Sequence, residues 1–251
     1  MKANLRSLKN PIMVIGFSGY TDAAGVASFS IDYLIKKTGA KKLTSLKRGL
    51  YVLSTSRPIT VIRTGLVEEV KYPCTELYVS KKAGLLALRG EEPNINWEDY
   101  VEEVMEIIEE ANVSSLYTLG GLIDYVEESK VSAVVSSPEL KEEARVVGAE
   151  LINYEGPCSI YTVIIRRCGE RGVKAMSLWG HVPFQRYSTL TQLRSPDLKT
   201  AYLTLKTLCK LTGIDLELER LRAEAETMLE LVDRIRKTSE EKPSKFFNYI
   251  Y

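Results

Sequence analysis

The sequence predicts an α/β protein in three layers, α/β/α, around a mostly parallel sheet, with added β-hairpins and a C-terminal helical hairpin. Three observations lead there. First, residues 11–15 are a short apolar run, residues 16–25 a glycine-punctuated loop, and residues 26–37 return to helix period. Second, short apolar runs recur at 115–119, 132–135 and 173–179, with helix-patterned or turn-forming sequence between them. Third, residues 195–235 carry only helical patterning, broken once at Thr212-Gly213, and a helix-breaking segment and an aromatic tail follow.

The elements follow in order. Asp22 or Thr21 is placed to accept the free N–H groups that open the helix at 26–37. Residues 40–47 read as an edge-like strand. From 49 to 90 no helical period occurs, and 59–62, 66–72, 76–80 and 85–88 read as short strands between Pro, Gly and Lys turns. They form hairpins added to the main sheet or a protruding β-layer. Helix period returns at 97–110, with Asn96 at the cap position. The strand at 115–119 ends in Gly120-Gly121. Pro138 suits the first turn of a short helix through Arg145. Residues 150–154 read as a strand, 159–168 as a buried helix ended by Gly172, and 173–179 as a core strand. Ser195-Pro196-Asp197 opens the next helix, through about Leu211. Ile214, Leu218, Leu221, Ala225, Met228, Val232 and Ile235 then repeat at spacings of 4, 3, 4, 3, 4, 3, a coiled-coil-like seam. With no internal repeat or low-complexity linker, residues 1–238 read as one domain and 239–251 as a flexible aromatic tail.

Composition narrows the function. Lys plus Arg (34) nearly cancel Asp plus Glu (33), so net charge supplies no attraction to nucleic acid or anionic membrane. No apolar stretch is long enough to span a bilayer, and the first ten residues lack a secretory h-region. Cys74, Cys158, Cys168 and Cys209 include no C-x-x-C pair, so they read as reduced, mostly buried thiols of a cytoplasmic protein and not as a zinc site. No metal or cofactor is implied.

Candidate chemistry lies at the carboxyl ends of the strands, where α/β sheets place ligands. Gly16, Ser18, Gly19 and Asp22 of the first loop, Gly120 and Gly121 of the second, and His181 of a third are the candidate ligand-binding set. Gly16-x-x-Gly19-x5-Gly25 is neither a dinucleotide fingerprint nor a P-loop. Gly16-Phe17-Ser18-Gly19 lacks the spacing of a nucleophile elbow, so no catalytic residue is assigned. His181, the single histidine, reads either as a general base or as a loop histidine bonded to a neighbour. Asp124 with Glu127-Glu128 reads as an acidic loop, and Arg145, Arg166, Arg167 and Arg171 as surface ion-pair partners.

Several of these segments, in this order, resemble the proteasome assembly chaperone 2 family. They are the strand ending in Gly16-Phe17-Ser18-Gly19, Gly120-Gly121, Tyr154-Glu155-Gly156-Pro157, the block from Glu170 to Trp179, and Ser195-Pro196-Asp197. The resemblance runs over about residues 11–235. It implies a nucleoside-phosphorylase-like architecture without an established catalytic centre, homo-oligomerisation, and binding to proteasome α-subunits. The C-terminus adds Phe246, Phe247, Tyr249, Ile250 and Tyr251, a cluster suited to a partner's apolar pocket. Proteasome activators end in hydrophobic–tyrosine–any residue, and this chain departs from that pattern at Ile250. The sequence therefore reads as a non-enzymatic chaperone-like protein; the alternative is a small-ligand binder, or a hydrolase- or phosphorylase-like enzyme, using the strand-end loops.

Overall fold

Strand β1 (Ile12–Ser18) divides its side chains between two cores. Met13, Ile15 and Phe17 enter one and Val14 the other, as the two-residue period of a strand requires. A computed structural model of the chain describes residues 5, 6 and 8–240. After β1 come α1 (Val26–Thr38), β2 (Lys41–Ser45), β3 (Ile59–Arg63), β4 (Leu66–Lys71), β5 (Thr75–Ser80), β6 (Leu85–Glu91) and α2 (Trp97–Ala111). They are followed by β7 (Ser115–Asp124), β8 (Lys130–Val135), α3 (Leu140–Val146), β9 (Glu150–Leu151), α4 (Ile160–Glu170) and β10 (Lys174–Pro183). Helices α5 (Phe184–Leu193), α6 (Leu198–Thr212) and α7 (Glu219–Glu240) complete the described chain.

Eight strands form one sheet in the order β2-β5-β6-β1-β7-β10-β8-β9. The central four, β6, β1, β7 and β10, run parallel. Strands β2 and β5 add an antiparallel meander on one side, and β8 runs antiparallel to β10 on the other. Strands β3 and β4 form a separate two-stranded hairpin. The expected fold class is therefore observed, with both kinds of β addition present at once.

Helices α2 and α4 cover one face, where Tyr100, Val104, Ile107, Tyr161 and Ile164 pack on Met13, Ile15 and Leu116. Helices α1, α3 and α6 cover the other, where Ile31, Leu34, Leu205 and Leu208 pack on Val14, Leu119 and Leu178. Seen from the crossovers, β1 leaves toward the α1 layer and its neighbour β6 toward the α2 layer, so the chain diverges between adjacent strand ends. That is a topological switch point.

Several local expectations are corrected. Gly120 and Gly121 lie inside β7, which runs on to Asp124. A Cβ at Gly120 would stand 2.6 Å from the Trp179 ring, so glycine here admits a neighbouring aromatic. Asn96 takes a left-handed conformation and makes no side-chain cap; its amide donates to Asp99 instead. The cap of α6 is Asp197, which accepts from the Thr200 N–H at 3.0 Å. Helix α5 stands where no element was expected. In α7 the seam residues Leu221, Ala225 and Val232 are buried, while Ile214 and Leu218 precede the helix. Cys158 is exposed, against the expectation of mostly buried thiols.

The arginines pair as expected. Arg167 reaches Glu98 and Glu102, Arg171 reaches Glu102 and Glu109, and together they tie α4 to α2. Arg145 and Arg166 pair within their own helices with Glu142 and Glu170.

Close packing of α1 on β1 is set by Gly16, where a Cβ would meet the Cβ of Ile31 at 2.6 Å. Overpacking at such a contact costs about 1–3 kcal/mol. Gly16→Ala is expected to lower unfolding free energy by that amount in urea titrations, with the slope unchanged.

Candidate functional site

The loop from β1 to α1 is held from every side. Asp22 Oδ1 accepts the Ala27 and Ser28 N–H groups at 2.7 and 3.0 Å, capping α1 as the sequence suggested. Burial raises the Asp22 carboxyl above its ordinary value, against the lowering effect of those bonds. The Gly121 N–H donates to the Thr21 carbonyl at 2.8 Å, and the Asp197 N–H to the Ala24 carbonyl at 2.9 Å. The loop is thereby stitched to β7 and to the start of α6. Ser18 Oγ donates to the Gly90 carbonyl at 3.3 Å, and the Glu92 N–H returns a bond to the Ser18 carbonyl at 3.0 Å. Gly19 stands at φ 111°, a turn that favours glycine.

His181 lies within β10, not past its end. Its Nδ1 is 2.7 Å from Asp124 Oδ2 and its Nε2 is 2.8 Å from Ser132 Oγ. The connectivity is that of a Ser-His-Asp relay. Accessibility is not: His181 is 5% exposed and Ser132, inside β8, is 0% exposed. A hydroxyl so placed cannot meet a substrate carbonyl. The His181 hydrogen bond holds the Asp124 carboxyl below its ordinary value. What the arrangement does is tie the ends of β7 and β8 to β10 through one imidazole.

Beside it lies a second buried polar network, invisible in the sequence because α5 was not foreseen. Arg186 donates to Ser129 Oγ, Ser129 and Thr200 share a hydrogen bond of 2.7 Å, and Arg186 Nη2 stands 3.4 Å from the Asp197 carboxylate. Glu92, on the far side of the rim, accepts the Ile160 N–H that opens α4 at 2.9 Å, and burial raises its carboxyl.

The seven candidate ligand residues therefore share one rim but not one pocket. Gly16 and Ser18 line an open groove of about 630 Å³ between α1, β6 and the β3–β4 hairpin. Arg57, Lys71 and Arg89 line it together with Glu69, Glu76 and Glu91. Of these, Arg89 is held by Asp32 at 2.5 Å and Glu76 at 3.5 Å. Asp22, Gly120, Gly121 and His181 do not line that groove. The hydrogen bonds of Ser18, Asp22 and His181 run to three separate sets of partners.

Exposed apolar side chains are distributed unevenly. Of nineteen large hydrophobic residues exposed among the described residues, nine fall between Leu50 and Tyr72. Tyr125 and Phe184 form an exposed stacked pair at the rim, with centroids 5.0 Å apart. The aromatic cluster Phe246–Tyr251 lies outside the described residues.

A parallel core flanked by antiparallel additions, with a helical pair closing one layer, defines an α/β scaffold class. Residues 16–236 match the PAC2 family, and the chain belongs to that family. No curated protein sequence matches it. A PAC2 family protein from Streptomyces avermitilis is 28% identical, with a TM-score of 0.76 over 89% of this chain and 95% of that one. A proteasome-assembly chaperone homologue from Mycobacterium tuberculosis is 22% identical, with a TM-score of 0.77 over 93% and 96%. PbaB of Pyrococcus furiosus, an archaeal proteasome activator, is 20% identical, with a TM-score of 0.67 over 91% and 94%. At these last two identities the likeness is one of fold. Among the described residues, no helix is long and apolar enough to cross a membrane.

His181→Ala strands the buried Ser132 hydroxyl and the half-buried Asp124 carboxylate, and is expected to cost about 1–3 kcal/mol in chemical denaturation. Because Asp124 titrates below its ordinary value when folded, its contribution is full above about pH 4 and is lost as pH falls through the lowered value. The stability gap between wild type and Asp124→Asn should thus be widest near neutrality and close in acid, as read from denaturation midpoints across pH. At the α1 cap, Asp22→Ala should cost about 0.5–2 kcal/mol, while Asp22→Asn keeps the acceptor and should cost less.

Proposed function

We propose that this protein is a non-enzymatic, homo-oligomeric assembly factor of the proteasome-chaperone type, with proteasome core α-subunits as its client. One observation carries the reading. Ser18, Asp22 and His181 at the strand ends are engaged by internal hydrogen bonds, whereas exposed apolar surface gathers in the excursion between Leu50 and Tyr72. A molecule arranged in this way offers other polypeptides a surface to bind and offers small molecules little reactive chemistry. The names of its relatives, a proteasome-assembly chaperone homologue and a proteasome activator, support the choice of client.

The aromatic tail supplies the second contact. Phe246, Phe247, Tyr249, Ile250 and Tyr251 enter an apolar pocket of the client, with the terminal carboxylate held by a basic residue. A small-ligand reading rests on the groove lined by Ser18, Arg57 and Glu91 at the switch point. A thermal-shift screen with nucleosides and inorganic phosphate addresses it; a shift abolished by Arg57→Ala would favour it over the assembly reading.

The full chain, immobilised, is expected to retain recombinant α-subunits in a pull-down. Truncation after Lys242 is expected to leave the thermal melt unchanged and to weaken retention about tenfold or more. Absence of retention by the full chain would overturn the client assignment, and equal retention by both would remove the tail from it.

A further inference from the structure

Three segments of the chain bring their lysines to one place. Helix α1 ends with Lys36 and Lys37 in its last turn, β2 begins with Lys41 and Lys42, and the turn from β5 to β6 carries Lys81 and Lys82. Antiparallel pairing sets Lys41 opposite Val79, so the end of β5 and its turn lie beside the start of β2. Ser80 Oγ donates to the Thr38 carbonyl at 2.8 Å and ties that turn to the C-terminus of α1. All six lysines line one open groove of about 740 Å³, and no carboxylate lines it. Its aliphatic surface comes from the half-buried Leu43 and Val79. In a chain of 34 basic and 33 acidic residues, composition alone does not supply such segregation. The switch-point groove, by contrast, carries three charges of each sign. Lys37 and Lys42 are neutralised by Glu217 and Glu76. Among the described residues, no carboxylate pairs with Lys36, Lys41, Lys81 or Lys82. Local roles account for part of the set only. Cations in the last turn of α1 offset its dipole, and charge at the start of β2 guards a sheet edge. Neither role reaches Lys81 and Lys82, and like charges lining one groove repel one another until an anion enters.

We propose that this groove is a docking site for a short acidic segment of another polypeptide, whose carboxylates meet the lysines while an aliphatic side chain rests on Leu43 and Val79. The site is separate from the excursion and the tail of the proposed function, and stands whether or not α-subunits are the client. Charge complementarity sets the sign of the partner. The lining sets its class. No aromatic ring and no arginine is present, so nothing stacks a base or grips a phosphate with a planar fork. Lysine ammonium groups are point charges on flexible stems, and take carboxylates from many directions. An aliphatic floor between them suits a segment in which acidic and apolar residues mix. Extent argues the same way. A nucleic acid or a bilayer reaches past the groove onto a body whose charges cancel, and exposed charges are screened beyond about 10 Å at about 0.1 M ionic strength. A short segment meets the lysines alone.

Fluorescence anisotropy on the full chain tests this with a fluorescein-labelled, glutamate-rich peptide holding a central leucine pair, beside the same peptide with glutamine for every glutamate. The acidic peptide is expected to bind with a micromolar dissociation constant that rises with salt, and the glutamine peptide about tenfold or more weaker. Lys81→Glu/Lys82→Glu is expected to raise the constant for the acidic peptide about tenfold or more, with an unchanged circular dichroism spectrum. Lys141→Glu/Lys206→Glu changes the net charge equally at exposed positions of α3 and α6, outside the groove, and is expected to stay within about twofold of wild type. Absence of binding, equal weakening by the two double variants, or tighter binding to oligothymidylate or to phosphatidylserine vesicles than to the acidic peptide overturns the docking site. Should Lys81→Glu/Lys82→Glu unfold, Lys81→Gln/Lys82→Gln decides: weakened binding supports the site and unchanged binding overturns it. Retention of α-subunits is scored in parallel. Peptide binding without retention removes only the client, and retention without peptide binding removes only the lysine groove.

Discussion

Helices α1 and α6 lie against bare backbone where they cross the sheet, and the positions of all the strand-end loops follow from that contact. A Cβ at Gly180 would meet Thr200 Cγ2 at 2.5 Å, and one at Gly121 would meet the Ala23 carbonyl at 2.8 Å. Interiors packed to this density cannot accept a further methyl without movement of a helix. The approach is what brings the Thr21 carbonyl onto Gly121, the Ala24 carbonyl onto Asp197, and Thr200 beside Ser129. Sheet, loop and helix start are registered to one another before any side-chain polarity enters.

Polar groups gathered by this packing are turned inward. Three carboxylates near the rim, Asp22, Glu92 and Asp197, each accept the N–H groups at the start of a different helix. Each neutralises donors that would otherwise be stranded, and favours the positive end of the helix macrodipole. His181 joins the ends of three strands in the same spirit. Hydrogen bonds of this kind rigidify a structure, while Glu92 Oε2 and Arg186 Nε in the same rim keep no hydrogen-bond partner among the described residues. The rim is therefore a structural seam, and its firmness makes the body a rigid platform for the hairpin and the aromatic positions at its surface.

Much of this was legible in the chain. The apolar run, glycine loop and helix of residues 11–37 gave the first crossover and the Asp22 cap, because strand burial and capping are both local. Helix α5 was not legible because its buried face consists of Arg186, Thr189 and Leu190, while Phe184 points to solvent, so the apolar period is erased. The course of β7 through Gly120-Gly121 was hidden for a related reason: glycine there makes room for Trp179, a partner 59 residues away. Nor could the Asp124–His181–Ser132 chain be read. It exists only because β7 and β8 flank β10 in one register, and the antiparallel direction of β8 has no mark in the short run Ser132–Val135. The candidate ligand residues were placed on the right rim, but sequence cannot say that their bonds are already spent on neighbours.

At one border of the large sheet β2 presents Lys41 and Lys42 to solvent, and its pairing with β5 shifts register between Lys42 and Thr44. At the other, β9 is two residues long. Charged flanks, irregular register and brevity are the usual guards against strand addition from another molecule. The main sheet is thus sealed laterally against runaway polymerisation, so a contact elaborated on the accessory β-layer can change over evolutionary time without opening the main sheet to templated aggregation.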